Sequence, residues 1–170
     1  MRTGNDIENE IRTAGGDILD SEMFARGFGQ SHHFRSNVSD HSLHVAKTAL
    51  RMAGLFRSVD REALIKACLC HDMGLIGNRK YVYTTGRMCI TQHPIDSAQR
   101  AESIIGTLND TEKDVILHHM YPLVLNAPRT KEGVLICIAD KCCALYEPFT
   151  IRSSSDRLHE RLHISVKKMA

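Results

Sequence analysis

The apolar residues of this 170-residue chain recur at helical spacings, and almost no segment alternates with the period of two typical of a strand. Between Asp40 and Phe56, leucines and alanines lie two to four positions apart, as one face of an amphipathic helix requires. A second apolar stripe runs from Ala63 to His71, behind Asp60 as a capping residue. The pattern predicts an all-α protein that folds as a single compact helical domain.

The positions of the remaining helices are predicted from residue types that favour a helix start, such as proline at the first position or a hydroxyl side chain at the cap. After residue 72 they are predicted from Pro94 to about Gly106, from Thr111 to before Pro122, from Thr130 to Tyr146, and as a last basic helix from Ser153 to Lys168. One or two small helices are expected before Ser39, with interruptions at Gly15-Gly16 and at Gly27–Gly29.

No repeat or long linker divides the chain, so one domain is expected. We interpret residues 1–38 as an N-terminal helical extension packed on the same domain. Residues 39–150 form the core, and residues 151–170 form a C-terminal helix.

The composition indicates which kinds of binding partner and which cellular compartment to expect. The net charge is +2, so the overall field gives no reason to expect a membrane surface or a polymeric nucleic acid. The first seventeen residues carry charge and glycine rather than an export segment, and the six cysteines contain no C-x-x-C pair. We therefore expect reduced, buried thiols and a cytoplasmic protein.

Histidines and aspartates form five elements on different predicted helices. In chain order they are His41, the doublet His71-Asp72, His93, the pair His118-His119, and Asp140. A helical bundle can direct such groups to one point. His71 continues an apolar stripe, and Asp140 follows the apolar run 134–139, where an ionised carboxylate is costly unless it is paired or binds a cation.

Imidazole nitrogen combined with carboxylate oxygen suits Fe, Mn, Co, Ni or Zn better than Mg or Ca. A single histidine on an apolar face is more often a hydrogen-bonded core residue than a ligand. The five elements together favour a buried metal site.

Three segments, residues 37–46, 67–74 and 139–141, resemble the HD superfamily of metal-dependent phosphohydrolases. The shared pattern is an initial histidine, a His-Asp doublet and a distal aspartate on an all-α fold, here spanning about residues 39–145. The resemblance implies that one metal ion is held by His41, His71, Asp72 and Asp140.

The histidines between the doublet and Asp140 are similar to those of the two-metal branch of this superfamily. That resemblance implies that His93 and His118 bind a second ion and that Asp72 bridges both. His119 is the alternative ligand or a phosphate contact, and the sequence does not separate His119 from His118.

The implied activity is hydrolysis of a phosphomonoester or phosphodiester, of a nucleotide or small phosphorylated metabolite, by a metal-activated water with one or two ions. Asp72 and Lys141 are the candidate catalytic residues. Candidate substrate-binding residues are His119, Arg79, Lys80 and Arg87. Two alternatives stay open: a di-iron oxygenase on the same scaffold, and a non-catalytic metal- or nucleotide-binding regulatory domain.

Five histidines outside these elements are not expected to be ligands. His44 lies one turn after His41 at a position that varies among HD proteins. The others, His32, His33, His159 and His163, flank the region of resemblance and are interpreted as surface or supporting residues.

Overall fold

The computed structural model describes residues 3–32, 36–78, 86–146, 162 and 164. Within these ranges the chain forms seven α-helices, a 3₁₀ turn and no strand. The helices are α1 (Gly4–Leu19), α2 (Glu22–Gly27), α3 (Val38–Ala53), α4 (Arg61–Cys70), α5 (Cys89–Ile105), α6 (Asp110–His118) and α7 (Lys131–Tyr146), and the 3₁₀ turn is Met73–Leu75. The all-α prediction is confirmed.

Helix α4 lies at the centre of the fold. Its residues from Ala63 to Cys70 are buried except Lys66, and it packs against α1, α3 and α6. A helix that is apolar on nearly all sides is stable only when its neighbours cover it. Asp60 caps its start, as predicted. At the other end, helix α4 stops at Cys70, and the residue that follows it, His71, is fully buried inside the bundle.

Helix α1 runs without interruption through glycines 15 and 16, where the sequence predicted a break. Gly15 lies against α4, and a Cβ added there would be 2.4 Å from Leu69 Cδ1. The glycine therefore allows two helices to approach closely, and packing offsets its low helix propensity.

None of the helices in the described ranges is long and apolar enough to cross a membrane.

Helix α5 begins five residues earlier than predicted, so Pro94 lies inside the helix. Proline lacks the N–H that would bond four residues back, which removes one intrahelical hydrogen bond. The first turn of α5 keeps its backbone hydrogen bonds, since the N–H groups of Thr91 and Gln92 both donate to the Met88 carbonyl, and the Thr91 hydroxyl donates to the same oxygen at 2.9 Å. Helix α6 starts one residue earlier than predicted, behind a capping box formed by Asn109 and Glu112.

Helices α1 and α2 pack against α3, and α1 also packs against α4, so the N-terminal residues share one hydrophobic core with α3 and α4. The predicted C-terminal helix over 151–170 lies outside the described residues apart from Leu162 and Ile164, which are both buried.

Asp114 joins the loop after α6 to the start of α7. Its carboxylate accepts hydrogen bonds from the backbone N–H groups of Arg129 and Thr130 and from the Thr130 hydroxyl, at 2.6–3.0 Å. Burial raises the pKa of Asp114, but these hydrogen bonds outweigh burial and hold the pKa below its usual value. Asp114 therefore stabilises the fold in its ionised form.

We expect Asp114→Asn to lower the free energy of unfolding by about 2–3 kcal/mol at pH 7, because buried donors lose a charged acceptor. Since the folded pKa is depressed, the stabilisation is fully present above the unfolded value of ~3.9 and is lost as pH falls through the folded pKa. Urea denaturation of both proteins from pH 7 to pH 3 measures the difference. Equal stability at pH 7, or a difference that persists in acid, would contradict this role.

Candidate metal centre

The first histidine of the centre lies on the first turn of α3. Asn37 caps that helix by accepting a hydrogen bond from the Asp40 backbone N–H at 2.8 Å. The cap fixes the helix start, so His41 points into the interior, where it is fully buried. Its Nε2 lies 2.9 Å from Asp140 Oδ1, across the contact between α3 and α7.

The His-Asp doublet stands where α4 gives way to the 3₁₀ turn. His71 Nδ1 donates to the Cys68 carbonyl at 2.7 Å, so its Nε2 carries the lone pair. That Nε2 is buried and has no hydrogen-bond partner among the residues that the structure describes. The turn after Asp72 is held by Arg100, which donates to the carbonyls of Met73 and, at 2.7 Å, Ile76. The turn therefore presents Asp72 in a fixed position beside an unsatisfied imidazole nitrogen.

Helix α5 lies unusually close to that turn. The Gly74 N–H donates to Ser97 Oγ at 2.8 Å, and a Cβ added to Gly74 would lie 2.2 Å from the His93 carbonyl oxygen. Only glycine fits such a backbone approach. The contact sets the position of His93 relative to Asp72.

His93 and His119 face each other on the other side of Asp72. Each Nδ1 donates at 2.8 Å to a carbonyl of its own helix, Cys89 for His93 and Ile116 for His119. Their Nε2 atoms, which then both carry lone pairs, are 2.9 Å apart. Two such lone pairs repel each other unless a cation, either a proton or a metal ion, lies between them.

Asp72 stands between two groups of imidazoles. Its Oδ1 lies 3.3 Å from His93 Nε2 and 3.5 Å from His119 Nε2. Its Oδ2 lies 3.3 Å from His71 Nε2 and 3.8 Å from His41 Nε2. The second group is completed by Asp140. One carboxylate therefore connects two sets of metal-ligand atoms.

The spacing and chemistry of these atoms fit metal ions. Two ligand atoms that each lie ~2.1 Å from one ion are about 3.0–3.4 Å apart at right-angled or tetrahedral positions. The separations of 2.9–3.5 Å around Asp72 Oδ1 are close to this range. Backbone carbonyls orient three of the rings through Nδ1, as is common for metal-binding histidines.

Both aspartates of the centre stay ionised. Burial raises the pKa of Asp72, but the charges of His71 and His32 outweigh it and hold the pKa well below its usual range. Burial likewise raises the pKa of Asp140, and the hydrogen bond with His41 outweighs it. Burial lowers the pKa of His119. Two buried anions among imidazole lone pairs form an environment that favours divalent cations.

The structure directs His119, and not its neighbour His118, toward Asp72. His118 is half-buried, and its Nδ1 lies 2.8 Å from Asp114 Oδ1, outside the clusters found among the described residues. Consecutive helical residues point about 100° apart, so one position decides which imidazole faces inward.

Lys141 contacts two residues of the candidate centre. Its Nζ donates to the His119 carbonyl and, at 3.0 Å, to Asp140 Oδ2. Arg87 is exposed just before α5. The other two predicted phosphate-binding cations, Arg79 and Lys80, lie outside the described residues.

One residue close to the centre was not predicted to bind there. His32 Nε2 lies 3.2 Å from Asp72 Oδ2, and its ring centroid lies 4.5 Å from that of His41. The sequence offered one indication of this: His32 lies a few residues before α3, the helix that carries His41. His44 is half-buried on α3 and belongs to none of the clusters in the described ranges, and His33, His159 and His163 lie outside those ranges.

A separate cavity of about 200 Å³ lies between α5 and the loop after α6. Its walls include Pro94 and His118 but none of the cluster residues.

A family model described as HD domain matches residues 38–145 of the chain. No curated protein and no solved structure matches the chain significantly.

Proposed function

The chain belongs to the HD domain family, and on that basis we propose that it is a metal-dependent phosphohydrolase. The substrate is a phosphomonoester or phosphodiester, of a nucleotide or a small phosphorylated metabolite. The observation that carries the proposal is Asp72, whose two oxygens face two different groups of imidazoles. A carboxylate so placed is suited to connect two ions, the arrangement that two-metal catalysis of displacement at phosphorus uses.

We assign the ligands from the distances around Asp72. The first ion would be held by His41, His71, Asp72 and Asp140, and the second by Asp72, His93 and His119. His119 therefore takes the place that the resemblance gave to His118. The donor set of imidazole and carboxylate suits Fe, Mn, Co, Ni or Zn.

A divalent ion bound in this centre supplies an activated water and polarises a phosphoryl oxygen. The protein holds the ligands in place and excludes bulk water by burying them. Lys141 acts as a positioning residue, because it bridges Asp140 and the His119 carbonyl. Arg87, Arg79 and Lys80 are proposed to bind the remaining phosphate charge.

The six cysteines are free thiols, which supports a reducing compartment, the cytoplasm.

A di-iron oxygenase would use the same ligands, so the metal identity and the consumption of oxygen distinguish the two activities. A non-catalytic domain would be expected to lack ligands, whereas both groups in the described residues have theirs.

Protein purified without chelator is expected to contain up to two transition-metal ions per chain. It should hydrolyse p-nitrophenyl phosphate or bis-p-nitrophenyl phosphate when Mn²⁺, Co²⁺ or Ni²⁺ is added. Chelation should lower the melting temperature by roughly 5–11 °C, because a ligand at 100 times its Kd stabilises a fold by about 2.7 kcal/mol. Elemental analysis measures the metal content, hydrolysis assays with the two nitrophenyl esters measure the activity, and calorimetry measures the melting temperature.

Stability that does not change on chelation would contradict the metal centre. Bound iron with oxygen consumption and no ester hydrolysis would identify the oxygenase alternative. Metal retention with no turnover on any phosphoester would favour the regulatory one.

A further inference from the structure

His32 lies outside the residues that the family model covers, which begin at residue 38. It nevertheless belongs to a group with His41 and Asp72 whose ligand atoms all lie within 4.8 Å of one another. The imidazole is mostly buried, with 11% of its side-chain surface exposed. This buried imidazole therefore approaches the centre from outside the region that the family model covers.

The backbone around His32 is held on two sides. Ser31 and Asn37 form an isolated antiparallel bridge, and the His32 N–H donates to the Ser36 carbonyl at 3.0 Å. The bridge attaches this segment to the capping residue of α3, one turn before His41. On the other side, the Gln30 side chain accepts from the Gly77 N–H at 3.1 Å, just after the turn that carries Asp72. The two attachments place His32 over the junction of these elements.

The side chain of His32 approaches an oxygen that other imidazoles already surround. Asp72 Oδ2 lies 3.2 Å from His32 Nε2 and 3.3 Å from His71 Nε2. His71 Nδ1 already donates to the Cys68 carbonyl, and among the described residues its Nε2 makes no hydrogen bond, to that oxygen or to any other atom. Several imidazoles around one carboxylate oxygen are better explained by a shared cation than by hydrogen bonds alone.

We propose that His32 is a seventh side chain of the metal centre and binds the ion held by His41 and Asp72 Oδ2. This inference rests on the proposed function, since it needs an ion at that place. With His32, two groups of potential ligands share His41, one with His32 and Asp72 and the other with His71 and Asp140, so five side chains stand on that side of the centre. The other side has three, Asp72, His93 and His119. Because catalytic ions keep open positions for substrate, the phosphoryl group binds mainly on the His93–His119 side.

The test uses Co²⁺ as the probe, added to chelator-treated full-length protein. His32→Ala and His32→Gln are compared with His44→Ala, a matched control on α3 that lies outside the clusters. Binding is followed by Co²⁺ affinity and by the visible absorption of the bound ion, which reports the number of ligands. Circular dichroism of the metal-free proteins shows whether each variant is folded.

We expect both His32 variants to fold and to bind one Co²⁺ at least about 10-fold more weakly, with an altered visible spectrum. His44→Ala should match the wild type. Wild-type affinity and spectrum in the His32 variants would overturn the role of His32 alone. So would equal losses in His44→Ala, or lost activity with unchanged Co²⁺ binding. A wild type that binds no Co²⁺ would overturn both this inference and the proposed function.

Discussion

Asp72→Ala is expected to release bound metal and to lower kcat for phosphoester hydrolysis by at least about 10³-fold, the equivalent of roughly 4 kcal/mol. The reason is that both halves of the centre use this one carboxylate. Asp72→Asn tests the same point with the shape of the side chain preserved, since an amide is a weaker and uncharged ligand. Elemental analysis and steady-state kinetics at saturating Mn²⁺ measure the two effects.

Asp96→Asn is the matched control for Asp72. Asp96 lies on α5 and accepts a hydrogen bond from Gln92 at 2.7 Å, outside the clusters of the described residues. It should keep its metal and activity within a few fold. Full activity in Asp72→Asn would remove the bridging role. Similar losses in both variants would indicate general destabilisation, which circular dichroism would show.

The neighbouring histidines at the end of α6 are expected to respond very differently to replacement by alanine. His119→Ala should lower the metal content by one ion per chain and reduce kcat by at least about 10²-fold, because it removes one of three donors from its half of the centre. His118→Ala should retain metal and activity. Its expected cost is about 1 kcal/mol of unfolding free energy, through loss of the contact with Asp114.

Each variant serves as the control for the other, since they differ by one position on the same helix. Metal stoichiometry, kinetics and urea denaturation should be measured on both. A His118→Ala protein that loses metal while His119→Ala keeps it would reverse the ligand assignment. It would also show that the end of α6 is rotated in the metal-bound protein.

Much of the helical architecture is readable from the sequence because apolar periodicity reports which face of a helix is buried. The stripe that ends at His71 predicted the central helix α4, and the apolar run before Asp140 predicted its place on α7. Local signals failed where packing overrides them. Gly15 looks like a helix breaker until Leu69 is seen against it, and Pro94 looks like a helix start although the turn before it is already helical.

The choice between His118 and His119 could not be made from the sequence, because both follow the same apolar residues and only the rotation of the last turn decides. That rotation is set by contacts far along the chain, including Asp114 with the residues that precede α7. His32 was missed for a related reason. Its approach to Asp72 depends on a backbone bridge between residues that have no periodic pattern.

The absence of a side chain at Gly74 has a consequence for how two elements of the centre are held together. The Asp72 turn approaches α5 so closely that a Cβ at position 74 would lie 2.2 Å from the His93 carbonyl oxygen. A larger residue there would force the turn and α5 apart, and with them the backbones of Asp72 and His93. A centre that takes its donors from separate helices thus depends on a residue that offers no donor of its own.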